Sequence, residues 1–147
     1  DARQLASRKL ISRSSIRAMN WTVLIIAAVV VVAFLALKRM SLVSEKLAQQ
    51  HLRAGALVID VRSPDEFAGG HVPQAINIPL GQLSQGLPTH VSDKNQILLL
   101  HCLSGTRSGI AKVQAKRLGY QNVFNLGSYG RAERIIRKVA SPSGSGR

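Results

Sequence analysis

Four short apolar runs, "ALVIDV" (56–61), "AINIP" (75–79), "QILLLH" (96–101) and "NVFNL" (122–126), restrict the fold of this chain more than any other feature. The longer ones are continuous rather than alternating, so they read as strands buried on both faces. The segments between them carry helix marks. Ser44 is an N-cap for "EKLAQQHLRA", and Gly55 is its stop. "SPDEFAGG" (63–70) has a capping serine, a first-turn proline, two acids and then glycine. "LGQLSQGL" reads as a short helix and "HVSDKNQ" as a loop. "RSGIAKVQAKRLG" (107–119) is a helix with Ile110, Val113 and Leu118 on one face, and "GRAERIIRKV" closes the domain as a basic helix. Buried strands alternating with helices give an α/β domain, a parallel sheet with helices on both faces. There is no internal repeat and no second domain.

A different kind of segment precedes this domain. Trp21 to Leu37, "WTVLIIAAVVVVAFLAL", holds no charge. As a helix it spans roughly 25 Å, near the lower limit for crossing a bilayer. Lys38 and Arg39 end it, and Trp21 suits the opposite interface. A buried core helix is the alternative, but a small domain has no room to bury such a helix on every side. The chain is therefore read as a basic segment (1–20), one transmembrane helix (21–37), the α/β domain (41–139) and a flexible tail (140–147). Residues 1–18 resemble a mitochondrial transit segment in composition, or else precede a start at Met19. With a start at Met19, Lys38, Arg39, Lys46 and Arg53 place the domain on the cytoplasmic side of a bacterial inner membrane. The alternative location is a mitochondrial membrane.

The net charge is +13, and most of the excess lies towards the two ends of the chain, in residues 1–20 and 131–147. Little aromatic interleaving and no nucleic-acid motif accompany it, so nucleic acid is not an expected partner. Cations beside a span suit anionic lipid headgroups. The chain has 1 cysteine and 4 histidines. A single thiol excludes an internal disulfide and a Cys-only metal site, and the histidines lack ligand spacing. No metal and no cofactor is implied.

That one thiol, Cys102, stands where the most apolar strand meets "LSGTRS" and then a helix. In parallel sheets, ligands bind beyond the carboxyl ends of the strands. The N–H groups after Cys102 can curl into an anion nest, and the next helix points its positive end there. Gly105 permits the tight backbone, and Arg107 either adds a cation near the sulfur or braces the loop. All of this favours a thiolate. An inert buried cysteine is the alternative, which the loop behind it disfavours.

Residues 42–139 resemble the rhodanese sulfurtransferases. "LVIDVRSPDEFAGGHVPQAINIP" (57–79), "HCLSGTRS" (101–108) and "LGYQNVFNL" (118–126) carry the resemblance. It implies a five-stranded parallel sheet. It also implies a catalytic Cys102 that accepts sulfur as a persulfide, with the backbone of Leu103, Ser104, Gly105, Thr106, Arg107 and Ser108 cradling the outer sulfur. The donor would be a small anion such as thiosulfate or a persulfide, a protein persulfide included. The acceptor would be a thiol, or cyanide in the test tube. Asp60 and Arg62, at the end of a strand, would brace the loop.

Two other readings stand beside this one. Cysteine phosphatases of the related fold use Cys-x5-Arg, whereas Cys102 and Arg107 are spaced Cys-x4-Arg, the tighter ring of the sulfur-transferring branch. The other is a non-catalytic binding module at the membrane. Leu103 stands where many thiosulfate-using members have arginine, Gln74 where many have glycine, and "GSYGRAERII" replaces the usual Glu-Gly-Gly ending. These departures leave the donor open, and they put Tyr129 and Arg131 near the rim of the site. Glu66 is read as a partner for a surface cation, His71 as structural, and His101 as pointing away from Cys102.

Overall fold

A computed structural model of the chain describes residues 21–40 and 42–141, apart from the side chains of 36–40. The expected basic segment 1–20 and most of the expected tail, 142–147, lie outside these residues. Ala140 still belongs to the last helix. The chain divides into two compact units, residues 1–39 and 40–147.

In the first unit, helix α1 runs from Trp21 to Met40, and its described side chains, Trp21 to Leu35, are exposed. Among the described residues no helix is long and apolar enough to cross a membrane. The transmembrane helix expected over 21–37 is therefore not supported. The uncharged run Trp21–Leu37 would reach only roughly 25 Å, against about 30 Å for the hydrocarbon core.

The second unit is the α/β domain. Its elements are α2 (Glu45–Arg53), β1 (Leu57–Asp60), α3 (Pro64–Ala68), β2 (Ile76–Asn77), a 3-10 turn (Leu80–Gln82), α4 (Leu83–His90), β3 (Leu98–Cys102), α5 (Thr106–Arg117), β4 (Val123–Ser128) and α6 (Tyr129–Ala140). The sheet order is β2-β1-β3-β4, and every pairing is parallel. Among the described residues it has 4 strands, not the five that the resemblance implied. Where a further strand would lie, Leu42 makes a single parallel bridge to Asn125, and the Val43 N–H donates to the Asn125 carbonyl at 2.9 Å. Ser44 then caps α2, its hydroxyl accepting from the Leu47 N–H. The chain turns into a helix before that pairing can lengthen.

Strand β3 is buried along its whole length, and its alternating side chains build both core layers. Leu98, Leu100 and Cys102 pack with Leu83 and Leu87 of α4 and with Ala111 and Ala115 of α5. Leu99 faces the other way, with Ala48 of α2 and Ala132 and Ile135 of α6. Burying each leucine contributes about 1.5–3 kcal/mol. The packed face of α5 is not the one that carries Ile110 and Val113. The buried residues are Ser108, Ala111 and Ala115, while Ile110 and Val113 are about half exposed, at 48% and 51%. Small side chains bring this helix close to the sheet. A Cβ on Gly109 would lie 3.5 Å from Asn125 Nδ2.

The β3–β4 register shifts after Leu100, so that Asn125 pairs with Leu100 but Gly127 pairs with His101. The bulge bends β4 at the depth of the cysteine. Gly127 takes φ +99°, and a Cβ there would meet Leu42 Cδ2 at 3.2 Å and Arg131 Cδ at 3.4 Å. A Gly127→Ala substitution should therefore destabilise the domain by about 1–3 kcal/mol. Urea unfolding followed by circular dichroism checks this; an unchanged midpoint would remove the bulge from the account.

Candidate active site

Strand β3 ends at Cys102, on the sheet edge where parallel α/β folds bind ligands. The cysteine has no exposed surface. Its sulfur accepts a hydrogen bond from the Gly105 N–H at 3.1 Å, and the Ser108 hydroxyl lies 3.7 Å away. The loop between them turns at Gly105, which has φ +91° and directly precedes α5. A Cβ there would come within 3.3 Å of Gly127 Cα, so loop and bulge touch backbone to backbone at two glycines.

Burial alone pushes the Cys102 thiol up, but the Ser108 N–H and hydroxyl and the Ser104 and Gly105 amides outweigh it. The net shift is downward, towards thiolate. The positive end of α5 lies at the same place. A small ring of donors around a sulfur can hold an anionic sulfur, or a second sulfur bonded to it.

Arg107 is largely committed elsewhere. Its guanidinium forks onto Glu66, donating from Nη1 to Oε2 at 2.6 Å and from Nη2 to Oε1 at 2.8 Å. This supplies the expected cation partner for Glu66 and braces the loop, while the same guanidinium still acts on the Cys102 sulfur by charge and hydrogen bond. Glu66 also closes the capping box of α3, accepting from the Ser63 N–H while the Ser63 hydroxyl accepts from the Glu66 N–H. The hydrogen bonds from Arg107, then those from Ser63, lower the Glu66 carboxyl to about 2. The pair ties the start of α5 to α3.

Asp60 and Arg62 are buried. Arg62 Nε reaches both Asp60 oxygens, at 3.0 and 2.9 Å, and Nη2 donates to Oδ2 at 2.7 Å. The same Nη2 donates to the Gly70 carbonyl at 2.8 Å, and the guanidinium lies 4.6 Å from the Tyr129 ring centre. No atom of this pair bonds to the cysteine loop directly. It supports Tyr129, whose N–H donates to the Leu103 carbonyl at 3.4 Å. Arg131 turns away from the rim and donates to the carbonyls of Leu126 and Val43. His101 is fully buried; neither ring nitrogen has a hydrogen-bond partner among the described residues, and Nε2 lies 3.7 Å from Asp60 Oδ2. Burial lowers its pKa, Asp60 opposing and Arg62 adding; it is a neutral ring on the face opposite Cys102. His71 stacks on Phe67, with ring centres 4.0 Å apart.

Sequence reasoning missed Asn125. It is 1% exposed, in mid-strand. Its Oδ1 accepts from the Ser108 hydroxyl at 2.7 Å and from the Gly127 N–H at 3.0 Å, and its Nδ2 donates to the Gly105 carbonyl at 3.3 Å. One amide side chain thus joins the cysteine loop, the head of α5 and the β4 bulge. The available signal was an asparagine, a poor strand former, inside the apolar run "NVFNL".

Comparison with known proteins places this geometry. A family model, the rhodanese-like domain, matches residues 44–130. The thiosulfate sulfurtransferase PspE of Escherichia coli K12 is 36% identical over 88 residues, 60% of this chain and 78% of that protein. The uncharacterised protein YqhL of Bacillus subtilis is 39% identical over 87 residues, 57% of this chain and 68% of that protein. Among solved structures, a rhodanese with anions from E. coli superposes with TM-score 0.51 at 38% identity, covering 52% of this chain and 91% of that one. The human single-domain sulfurtransferase TSTD1 gives TM-score 0.52 at 28% identity, covering 66% and 96%.

The site gives two expected outcomes. Asn125→Ala leaves the Gly105 carbonyl, the Ser108 hydroxyl and the Gly127 N–H short of a partner, at a cost of about 1–3 kcal/mol. Hydrogen exchange at the Gly105 and Gly127 amides should quicken selectively, and unchanged protection there would contradict the assigned role. For the Glu66–Arg107 pair, the folded carboxyl value is depressed. Its contribution is whole above the unfolded value, near 4.3, and is lost as pH falls towards about 2. Stability curves of the wild type and Glu66→Gln should therefore differ at neutral pH and converge only near pH 2.

Proposed function

The chain belongs to the rhodanese-like domain family and is a sulfurtransferase; from that premise we propose that it carries sulfane sulfur as a persulfide on Cys102. The observation that carries the proposal is the sulfur at the end of β3, bonded to the Gly105 amide and lowered in pKa by the surrounding donors. The Cys102 thiolate attacks the terminal sulfur of a donor, and the sulfur–sulfur bond of the donor breaks. The donor leaves as a thiolate, or as sulfite if it is thiosulfate, and Cys102 holds the new S–S bond. A nucleophilic acceptor, a thiol or cyanide, then attacks the outer sulfur and releases the Cys102 thiolate. This is covalent catalysis in two displacements, and no general base is needed. The amides of the Leu103–Ser108 loop stabilise the charge on the sulfurs. Because Cys102 has no exposed surface, the donor sulfur must enter the loop, which suits a terminal sulfur at the end of a narrow group. A phosphatase reading gains nothing from the geometry, since the guanidinium that would clasp phosphate is forked onto Glu66.

We propose further that α1 holds the chain at a membrane. Its support is the uncharged run Trp21–Leu37 and the exposure of apolar side chains such as Val23, Ile26, Val30 and Phe34 around the helix. Co-flotation of the full chain with lipid vesicles, lost on deletion of residues 1–40, tests this part on its own.

For the reaction, the purified chain exposed to thiosulfate or a small persulfide should gain the mass of one sulfur atom on Cys102 and then release thiocyanate with cyanide. Cys102→Ala should do neither. Undiminished thiocyanate release by that variant, or a wild-type thiol that never gains sulfur, would contradict the mechanism.

A further inference from the structure

Helix α5 has two faces of opposite use. One, with Ser108, Ala111 and Ala115, is buried on the sheet. On the other, Thr106, Ile110, Val113 and Arg117 are exposed. Their spacing of four, three and four residues puts them within an arc of about 60°, over a length of roughly 16 Å. The row starts where the cysteine loop ends. In that loop Leu103, the residue after Cys102, is 57% exposed. The surface is therefore apolar beside the sulfur and turns cationic at Lys116 and Arg117.

Among the described residues the charge on this face has no ion-pair partner. The helix "TRSGIAKVQAKR" contains no acid. Among the described residues Arg62 pairs with Asp60, Arg107 with Glu66, Arg134 and Lys138 with Glu45, and Arg137 with Glu133. Lys112, Lys116 and Arg117 have no such partner among them. Two half-exposed β-branched side chains beside uncompensated cations describe a surface whose complement is apolar and acidic. A free small anion does not need it. A macromolecule delivering its own sulfur into the loop would lie across it.

Resting on the persulfide reading of Cys102, we propose that the exposed face of α5, with Leu103 at its head, is the docking surface for an acidic protein partner. That partner presents a cysteine thiol or persulfide to the loop, sets apolar side chains on Ile110 and Val113, and sets carboxylates on Lys116 and Arg117. When it presents a thiol, the thiolate attacks the outer sulfur of the Cys102 persulfide, that S–S bond breaks, and Cys102 returns to thiolate.

The probes are two synthetic peptides, each with one cysteine and two leucines, one followed by a run of glutamates and its isomer by lysines. The full chain is loaded with sulfur and discharged to each peptide and, separately, to cyanide. The expected result is discharge to the glutamate peptide about tenfold faster than to the lysine peptide at low salt, the two converging at high salt. The triple variant Ile110→Ser, Lys116→Glu, Arg117→Glu should lose this preference while its cyanide discharge stays at the wild-type rate. Equal rates with both peptides, or a preference that survives in the variant, would overturn the docking surface. So would self-association of the wild type that the same variant abolishes without any peptide preference, which would give the face to a second copy. If the wild type takes up no sulfur or fails with cyanide, it is the persulfide reading itself that falls.

Discussion

The side-chain amide of Asn125 holds the cysteine loop against the sheet, and most of the site follows from that contact. A buried amide is costly unless its donors and acceptor find partners. Here they are the Ser108 hydroxyl, the Gly105 carbonyl and the Gly127 N–H. These three groups belong to the head of α5, the turn of the loop and the bulge of β4. Satisfying one side chain therefore fixes the relative positions of the three pieces that surround Cys102. Both glycines at the junction have positive φ; a Cβ on Gly105 would press on the Gly127 backbone, and one on Gly127 on the Leu42 and Arg131 side chains.

The electrostatics follow from this packing. A fully buried sulfur would ordinarily be a poor anion, and burial is the largest single influence on Cys102. The loop overcomes it chiefly with short-range donors, and the Arg107 charge acts beside them. Arg107, the one cation inside the loop, neutralises Glu66 and ties α5 to α3. The anion is thus held mostly by backbone dipoles that are fixed before any donor arrives, which is the arrangement that lowers a barrier without reorganisation. The same commitment of Arg107 leaves Leu103 and the outer face of α5 to govern what approaches.

Much of this was legible in the chain. Ser63 and Pro64 marked the start of α3, and Ser44 the N-cap of α2; both are local patterns that need no tertiary context. Leu98–Leu100 read as the buried central strand because no amphipathic alternative fits such a run. What was not legible depends on distant partners. The row of Ile110, Val113 and Leu118 did not reveal which face of α5 packs; the buried face is made of Ser108, Ala111 and Ala115. The bulge at Gly127 and its pairing with Asn125 require the register of β4 on β3, which no local spacing encodes. The strand short of five came from Ser44, whose cap begins α2 one residue after Val43.

The most direct test of the account is the ultraviolet titration of the Cys102 thiolate in the wild type and in Arg107→Gln. Amide-dominated stabilisation places the wild-type midpoint below the ordinary thiol range and leaves most of that depression in the variant. A wild-type thiol that titrates at or above the ordinary value, or a variant that loses the depression entirely, would contradict it.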